Sequence, residues 1–371
     1  MPSSRLRTRL VILIAACLLI GCGRRVVEDR GPLLAKDAAS VSPNMLWTAD
    51  GTEVVYVAQS AQGSVVHTLQ AVRVADGTVR QLDIAPTFPE LRLARAADGS
   101  ALYYVTTDGT LRDAMSGKDV GRVPLGFAAL ASSPDGRLAA YWDMFGTARG
   151  AATQGAAFMM DVDQGTSTLL PLCAGSLTFS PSGDALLCAD VSAASSAPFI
   201  ERFDVVDVAT LTLREQLDAV VLPSDVRWGS NGVLVAGAQT GDAGVIAVND
   251  LGAGTARVVY RLPTPSDAVK TEDFPSGNAV SGATFSADGR QLALWQAECL
   301  ATQFFGEPQY CGRAQGSLII VDLDTGSQRV VASGEATYDG GGGIGPVAFS
   351  DDGAHIAYRF RSEIHVRPTR N

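Results

Sequence analysis

The stretch Phe285-Ser-Ala-Asp-Gly289, followed by the apolar run Leu292-Ala-Leu-Trp295, decides the fold of this chain. Ser and Asp before Gly favour a tight turn in which Gly adopts the left-handed conformation, and the apolar run predicts a buried strand. Seven copies of this phrase, with glycines 48, 37, 47, 49, 57 and 64 residues apart, occur in the chain: Trp47-Thr-Ala-Asp-Gly51, Arg95-Ala-Ala-Asp-Gly99, Ser132-Ser-Pro-Asp-Gly136, Phe179-Ser-Pro-Ser-Gly183, Trp228-Gly-Ser-Asn-Gly232, Phe285-Ser-Ala-Asp-Gly289 and Phe349-Ser-Asp-Asp-Gly353.

A second hairpin follows most copies of the phrase, as in Val72-Arg-Val-Ala-Asp-Gly-Thr-Val79 and Ile320-Val-Asp-Leu-Asp-Thr-Gly326. Two hairpins give four antiparallel strands in a repeat of about 50 residues, which is the size of a β-propeller blade. The sequence therefore predicts an all-β fold over residues 41–371, a single β-propeller of about seven four-stranded antiparallel blades.

The phrases beginning at Phe179, Phe285 and Phe349 resemble the repeat of TolB-type, WD-repeat-like bacterial propellers. The resemblance implies a ring with a central channel and a binding face made of loops. It says little about function, because that family includes periplasmic scaffold proteins, sensor domains, peptidase-associated propellers and a few lyases. The copies at Arg95 and Ser132 lack the aromatic residue, which leaves the blade count between six and eight.

The N-terminus has the features of an export signal, with three Arg residues before the apolar run Leu10–Ile20. The sequence Leu19-Ile20-Gly21-Cys22 resembles the lipobox of bacterial lipoproteins, which implies cleavage after residue 21 and acylation of Cys22. An ordinary signal peptide ending near Gly21 is the alternative. Residues 22–40 are then a lipidated tether, and Gly23 resembles outer-membrane sorting, facing the periplasm or the cell surface.

The charge balance excludes nucleic acid as a partner. Without residues 1–21 the chain has 26 basic and 39 acidic residues, a net charge of −13. Nucleic-acid binding requires a basic footprint, and the basic residues here do not cluster beyond Arg24-Arg25.

Four cysteines remain after Cys17 and Cys22 are set aside, an even number that suits disulfides in an exported protein. Local pairing is predicted on either side of one hairpin and of one long loop, as Cys173–Cys188 and Cys299–Cys311.

Catalytic and metal-binding patterns are missing from the sequence, so we expect neither an enzyme nor a bound cofactor or metal. The chain has three His, at positions 67, 355 and 365, and no nucleophile elbow, zinc-protease helix or phosphate-binding loop. Propeller lyases of the wider family use a His-rich metal site, which this chain lacks. The segments Asp161–Gly165 and Asp322–Gly326 superficially resemble calcium loops, but their position predicts hairpin turns.

Three inserts, Pro263–Ser281, Glu298–Gly316 and Ser333–Gly345, interrupt the regular period. They contain aromatic residues that are candidates for partner binding, because functional groups concentrate on loops: Phe274, Phe304, Phe305, Tyr310 and Tyr338. The alternative is that these rings pack onto the nearest blade. We expect a membrane-anchored module that binds an envelope protein or polymer; the alternatives are a small-ligand-, metal- or saccharide-binding propeller and an enzyme acting on a polysaccharide.

The last repeat has too few residues for four strands, since only Pro368–Asn371 follow the strand that begins near Ile364. An incomplete blade would leave an unpaired edge and an open ring. We therefore predict that part of Val26–Ala39 forms the outer strand of the last blade and joins the two ends of the chain.

Overall fold

The structure is a computed structural model of the full chain. It describes residues 29–36, 45–59, 66–86, 93–106, 108–124, 127–143, 156–170, 173, 177–190, 201–219, 221–229, 232–239, 242–263, 270, 278–303, 310–336 and 344–370. The predicted cleavage and acylation sites, at residues 21 and 22, lie outside these ranges.

The described residues form seven four-stranded antiparallel sheets, which confirms the predicted propeller and sets the blade count at seven. In chain order, with each blade written from its first to its fourth strand, the strands are as follows: blade 1, β2 (Leu46–Trp47), β3 (Glu53–Gln59), β4 (Val66–Arg73), β5 (Val79–Pro86); blade 2, β6 (Leu93–Arg95), β7 (Leu102–Val105), β8 (Thr110–Asp113), β9 (Asp119–Arg122); blade 3, β10 (Phe127–Ser132), β11 (Leu138–Asp143), β12 (Ala156–Asp161), β13 (Thr166–Leu169); blade 4, β14 (Leu177–Phe179), β15 (Ala185–Asp190), β16 (Glu201–Asp207), β17 (Leu213–Ala219); blade 5, β18 (Val221–Gly229), β19 (Gly232–Gln239), β20 (Asp242–Asp250), β21 (Thr255–Arg261); blade 6, β22 (Asn278–Phe285), β23 (Gln291–Gln303), β24 (Tyr310–Asp322), β25 (Gln328–Ala336); blade 7, β26 (Ile344–Phe349), β27 (His355–Phe360), β28 (Glu363–Pro368), β1 (Leu33–Ala35).

The blades are arranged as a closed ring. First strands contact one another in the series β6, β10, β14, β18, β22, β26 and β2, so they surround the central channel and the fourth strands form the outer rim. The core consists of seven apolar clusters, one at each interface between neighbouring blades. This explains why the second strands are almost continuously apolar, since both of their faces are buried.

The repeated phrase forms the turn between the first and second strands of each blade. In blade 6 the Ser286 hydroxyl donates to Asp288 (2.6 Å) and accepts the backbone N–H of Gln291 (2.9 Å). Gly289 has φ +69°, a conformation that a side chain would strain. Ser or Thr and Asp make the same contacts in blades 1, 3 and 7.

The aromatic residue at the start of the phrase connects neighbouring blades. Trp47 Nε1 donates to the carbonyl of Ala348 in blade 7 (2.9 Å), and Trp228 Nε1 donates to that of Thr178 in blade 4 (3.2 Å). The phrase therefore specifies both a turn within the blade and a contact with the blade before it.

The N-terminal segment closes the ring, as the sequence predicted. Strand β1 is the fourth strand of blade 7 and pairs antiparallel with β28, with Leu33 opposite His365. The Tyr358 hydroxyl donates to the carbonyl of Arg30 (2.5 Å), and His365 Nδ1 lies 3.1 Å from the carbonyl of Pro32. The outer edge of the last blade is thus completed by the opposite end of the chain.

Candidate functional site

The two faces of the ring differ in the length of their connections. All turns between first and second strands, and between third and fourth strands, lie on one side, which we call the turn face. The opposite side carries the connections between second and third strands and the connections from one blade to the next. The second-to-third-strand connections of blades 3, 4 and 6 are long, and the longest connection between described strands, from β21 to β22, is also on this side. We call this second side the loop face.

The predicted partner-binding residues belong to connections that begin and end at the loop face. Phe274 is in the connection from β21 to β22, Phe304 and Phe305 are between β23 and β24, and Tyr338 is between β25 and β26. These four residues lie outside the described ranges, and Tyr310 is described only in its backbone, which pairs with Gln303. The topology therefore brings all three inserts to one face, on or beside blade 6.

The second insert is largely a β-hairpin, so the prediction of a long loop over Glu298–Gly316 is wrong. Glu298 is the last residue of β23 that pairs with β22, and Ala314 is the first residue of β24 that pairs with β25. Beyond them, in the part of the chain that the structure describes, the two strands pair only with each other, as far as Gln303 and Tyr310. We call this projecting part, residues 299–303 and 310–313, the blade 6 arm; at about 3.3 Å per residue it extends roughly 15 Å beyond the described ends of β22 and β25.

Both predicted disulfides are present near the loop face. Cys299 and Cys311 join the two strands of the blade 6 arm, with a Cα–Cα distance of 5.7 Å. Cys173, in the connection from blade 3 to blade 4, bonds to Cys188 of β15, with a Cα–Cα distance of 5.4 Å. All four cysteines are buried. The first bond joins the two strands of an arm that, among the described residues, has no other sheet neighbour.

The turn face carries a group of charged residues at the mouth of the channel that the sequence analysis did not find. Arg95 Nη2 contacts both carboxylate oxygens of Asp351, at 2.6 and 2.7 Å, although blade 1 separates their blades. Arg227 of blade 5 is influenced electrostatically by both Arg95 and Asp351, so these groups converge near the axis. The signal for Arg95 was its position in the phrase, where other copies have an aromatic residue.

Two charged residues connect blade 5 to the inner edge of blade 6. Asp225 accepts the N–H of Phe285 (2.8 Å), and Arg227 Nε donates to the carbonyl of Ala287 (3.1 Å). Burial raises the pKa of Asp225 to about 6, and burial also lowers the pKa of Arg227. Because these groups satisfy backbone atoms of a strand with no sheet partner on that side, we assign them a structural role.

The remaining polar candidates do not form a reaction centre in the described part of the chain. His355 is exposed and lies opposite Pro368, whereas His365 is buried opposite Tyr358; the side chain of His67 is not described. Within the described ranges, no group of three or more His, Cys, Asp or Glu residues could hold a metal ion.

The Asp-rich segments are turns, as predicted. Asp161 Oδ1 accepts two backbone N–H groups of its own turn, at 3.0 and 2.9 Å. Asp322 Oδ1 does the same, at 3.1 and 2.8 Å. These oxygens are therefore used to stabilise hairpins.

The described residues contain no helix that is long and apolar enough to cross a membrane.

Comparison with known proteins shows similarity of structure only. No protein-family model matches the chain, and no curated protein matches it. The β-propeller domain of Cps50 (Swd1) from Myceliophteria thermophila is similar at 12% identity and a TM-score of 0.55, over 91% of this chain and 98% of that chain. Hydrazine synthase of Kuenenia stuttgartiensis is similar at 15% identity and a TM-score of 0.55, over 93% and 98%.

A chain of the mitotic checkpoint complex is similar at 14% identity and a TM-score of 0.53, over 94% of this chain and 92% of that chain. Such low identity shows the fold alone, and proteins of different function share it. The similarity covers nearly the whole ring in each case. The resemblance seen in the sequence is therefore confirmed for the fold: this chain is a seven-bladed β-propeller.

Proposed function

We propose that this protein is a lipoprotein, acylated at Cys22, whose propeller binds an envelope protein or polymer through its loop face. The blade 6 arm carries the proposal. A hairpin that projects beyond its blade and is joined internally by the Cys299–Cys311 bond presents a preformed surface, which lowers the entropy lost on binding. Phe304 and Phe305, between the two strands of the arm, supply the large apolar side chains that commonly dominate binding energy.

Membrane attachment depends on the lipobox at Leu19–Cys22 and the preceding apolar run. More than one acyl chain is needed for stable anchoring, because a single chain binds only marginally. We place the protein at the outer membrane on the resemblance of Gly23 to that sorting pattern. One structural neighbour is a chain of the mitotic checkpoint complex, a propeller that is part of a protein complex. A binding role for the present chain agrees with this.

Retention of envelope components by the purified full-length protein tests the binding role. The double substitution Phe304→Ala/Phe305→Ala should abolish retention of the specific partner. Met115→Ala is the matched control, because Met115 is an apolar residue, 50% exposed, on the turn face of blade 2; it should leave retention unchanged. Equal retention by the wild type and the arm variant would show that the arm is not the binding surface. Retention of a saccharide or a metal in place of a protein would favour the small-ligand alternative.

A further inference from the structure

The N-terminal segment reaches the ring at the rim of blade 6. The N–H of Asp29 donates to the carbonyl of Ser333 (2.8 Å), and the N–H of Ser333 donates to the carbonyl of Asp29 (2.9 Å). Ser333 lies midway along β25, the outer strand of blade 6. Four residues after Asp29 the chain pairs with β28 of blade 7. The segment therefore crosses from the outer edge of one blade to that of the next.

We define the seam edge as residues 29–36, 328–336 and 361–370, which comprise the outer strands β25 and β1 and the adjoining strand β28 with its flanking residues. Three ion pairs join its parts: Arg367 with Asp29, Arg30 with Glu363 (3.5 Å) and Arg361 with Glu335 (3.3 Å). The Arg30 guanidinium also lies over the Phe360 ring, 5.2 Å from its centre. These contacts hold the end of the tether firmly on the rim.

The tether between the proposed lipid and the seam edge is short. Seven peptide units separate Cys22 from Asp29. Fully extended, they span at most about 25 Å. A four-stranded blade is about 14 Å wide, so the outer edge on the opposite side of the ring is at least roughly 30 Å farther across. The acyl chains can therefore hold the seam edge close to a bilayer, whereas the outer edge on the opposite side of the ring is beyond the reach of the tether.

The charge around the rim favours the same edge that the tether holds near the bilayer. The seam edge has six basic residues (Arg30, Lys36, Arg329, Arg361, Arg367, Arg370) and three acidic ones (Asp29, Glu335, Glu363), a net charge of +3. Residues 156–169 and 201–219, the outer halves of blades 3 and 4 across the ring, have two basic and seven acidic residues, a net charge of −5. The net charge of this edge is thus opposite in sign to the mature net charge of −13.

We propose that the seam edge, rather than the opposite edge of the ring, is turned toward an anionic lipid surface. This inference rests on the acylation of Cys22 proposed above. Basic residues near an anionic leaflet strengthen attachment by about fivefold each, within a screening distance of roughly 10 Å, and acidic residues weaken it. With the seam edge at the bilayer, blade 6 and its arm lie beside the membrane. Its partner is then a membrane-proximal component.

Fluorescence quenching on vesicles tests the orientation. The acylated full chain would carry a fluorophore at Val330→Cys or, as the matched control, at Leu169→Cys. Both residues are exposed apolar side chains on outer strands, 60% and 37% exposed, but Val330 is in blade 6 and Leu169 is in blade 3. On vesicles of phosphatidylglycerol and phosphatidylethanolamine with nitroxide-labelled headgroups, we expect quenching several-fold stronger at position 330.

The outcomes separate this inference from the proposed anchor. If the protein does not float with the vesicles, the acylation fails and the orientation with it. If it floats but both positions are quenched equally, or position 169 more strongly, the anchor stands and the orientation is wrong.

A charge-reversal variant tests the class of lipid. Lys36 and Arg370 are both exposed, so Lys36→Glu/Arg370→Glu should fold normally. The variant should reduce the difference in quenching between the two positions on anionic vesicles and leave it unchanged on phosphatidylcholine vesicles. An unchanged difference on both would overturn the assignment of an anionic surface.

Discussion

The hydroxyl of Tyr358 provides a direct test of ring closure, because it donates to a carbonyl at the other end of the chain. Its acceptor is Arg30, at 2.5 Å. The aromatic ring of Tyr358 is fully buried. It stacks on His365 with ring centres 5.6 Å apart and meets Trp295 edge-on at 5.9 Å. Burial raises the pKa of Tyr358 to about 12, so the hydroxyl remains a donor at neutral pH. Tyr358→Phe removes this donor and keeps the ring contacts.

The expected loss is about 1–2 kcal/mol in the free energy of unfolding. A typical hydrogen bond contributes about 1 kcal/mol, and a partly buried carbonyl left without its partner adds to the cost. The loss should depend on the N-terminal segment. In a chain that lacks residues 24–38 the Arg30 acceptor is absent and only the interaction of Tyr358 with Arg367 remains, so Tyr358→Phe should cost clearly less there.

Urea unfolding of the four proteins of this double-mutant cycle, followed by Trp fluorescence, measures the coupling. Trp295, which lies beside Tyr358, reports on blade 7 directly. The truncated chain should itself be less stable than the full chain, and its last blade should be more sensitive to protease. If Tyr358→Phe costs the same in the full and truncated chains, the N-terminal segment does not close the ring through this bond.

Four further outcomes are expected. Cys22→Ser should release the protein from membranes, and unchanged partition into detergent would contradict acylation. Cys299→Ala/Cys311→Ala should lower stability by at most about 3 kcal/mol, since the closed loop is short, and should weaken partner retention; peptide mapping without reduction checks the pairing. Burial lowers the pKa of His365, so its contribution to stability is complete above about pH 6.5 and is lost as the pH falls. In urea titrations, His365→Gln should therefore lose less free energy of unfolding than the wild type when the pH is lowered. The pKa of Asp225 is raised to about 6, so Asp225→Asn should gain stability relative to the wild type as the pH rises from about 4 to above 6, and a constant difference would refute this.

The turns, blades and disulfides could be predicted because their determinants are close together in the sequence. The Ser286 hydroxyl and the Asp288 carboxylate make their hydrogen bonds within the six residues 286–291. The same residues therefore form the same turn wherever the phrase occurs. Cys173 and Cys188, 15 residues apart, need only one blade to form in order to meet. The pairing of β1 with the last blade followed from a count of strands, since an antiparallel ring needs a fourth strand that the C-terminus could not supply.

The blade 6 arm could not be recognised from the sequence. Within the described residues its hairpin pairs with no strand on either side beyond Glu298 and Ala314. The segment Glu298–Gly316 contains neither a copy of the turn phrase nor a long apolar run of the kind that marks the second strands. The irregular segment was therefore interpreted as a loop.

The sequence by itself determined the fold, because seven local turns and their apolar strands repeat the same short-range chemistry. Only the tertiary structure decided which distant residues meet. Arg95 and Asp351 are 256 residues apart in the chain and touch because ring closure brings blades 2 and 7 to one channel mouth. The basic seam edge exists for the same reason, since Asp29 comes to lie against Ser333 only when the two ends of the chain share the rim. Local hydrogen bonds specify each blade. The positions of the basic seam edge and of the long connections, in contrast, depend on the order in which the blades surround the axis.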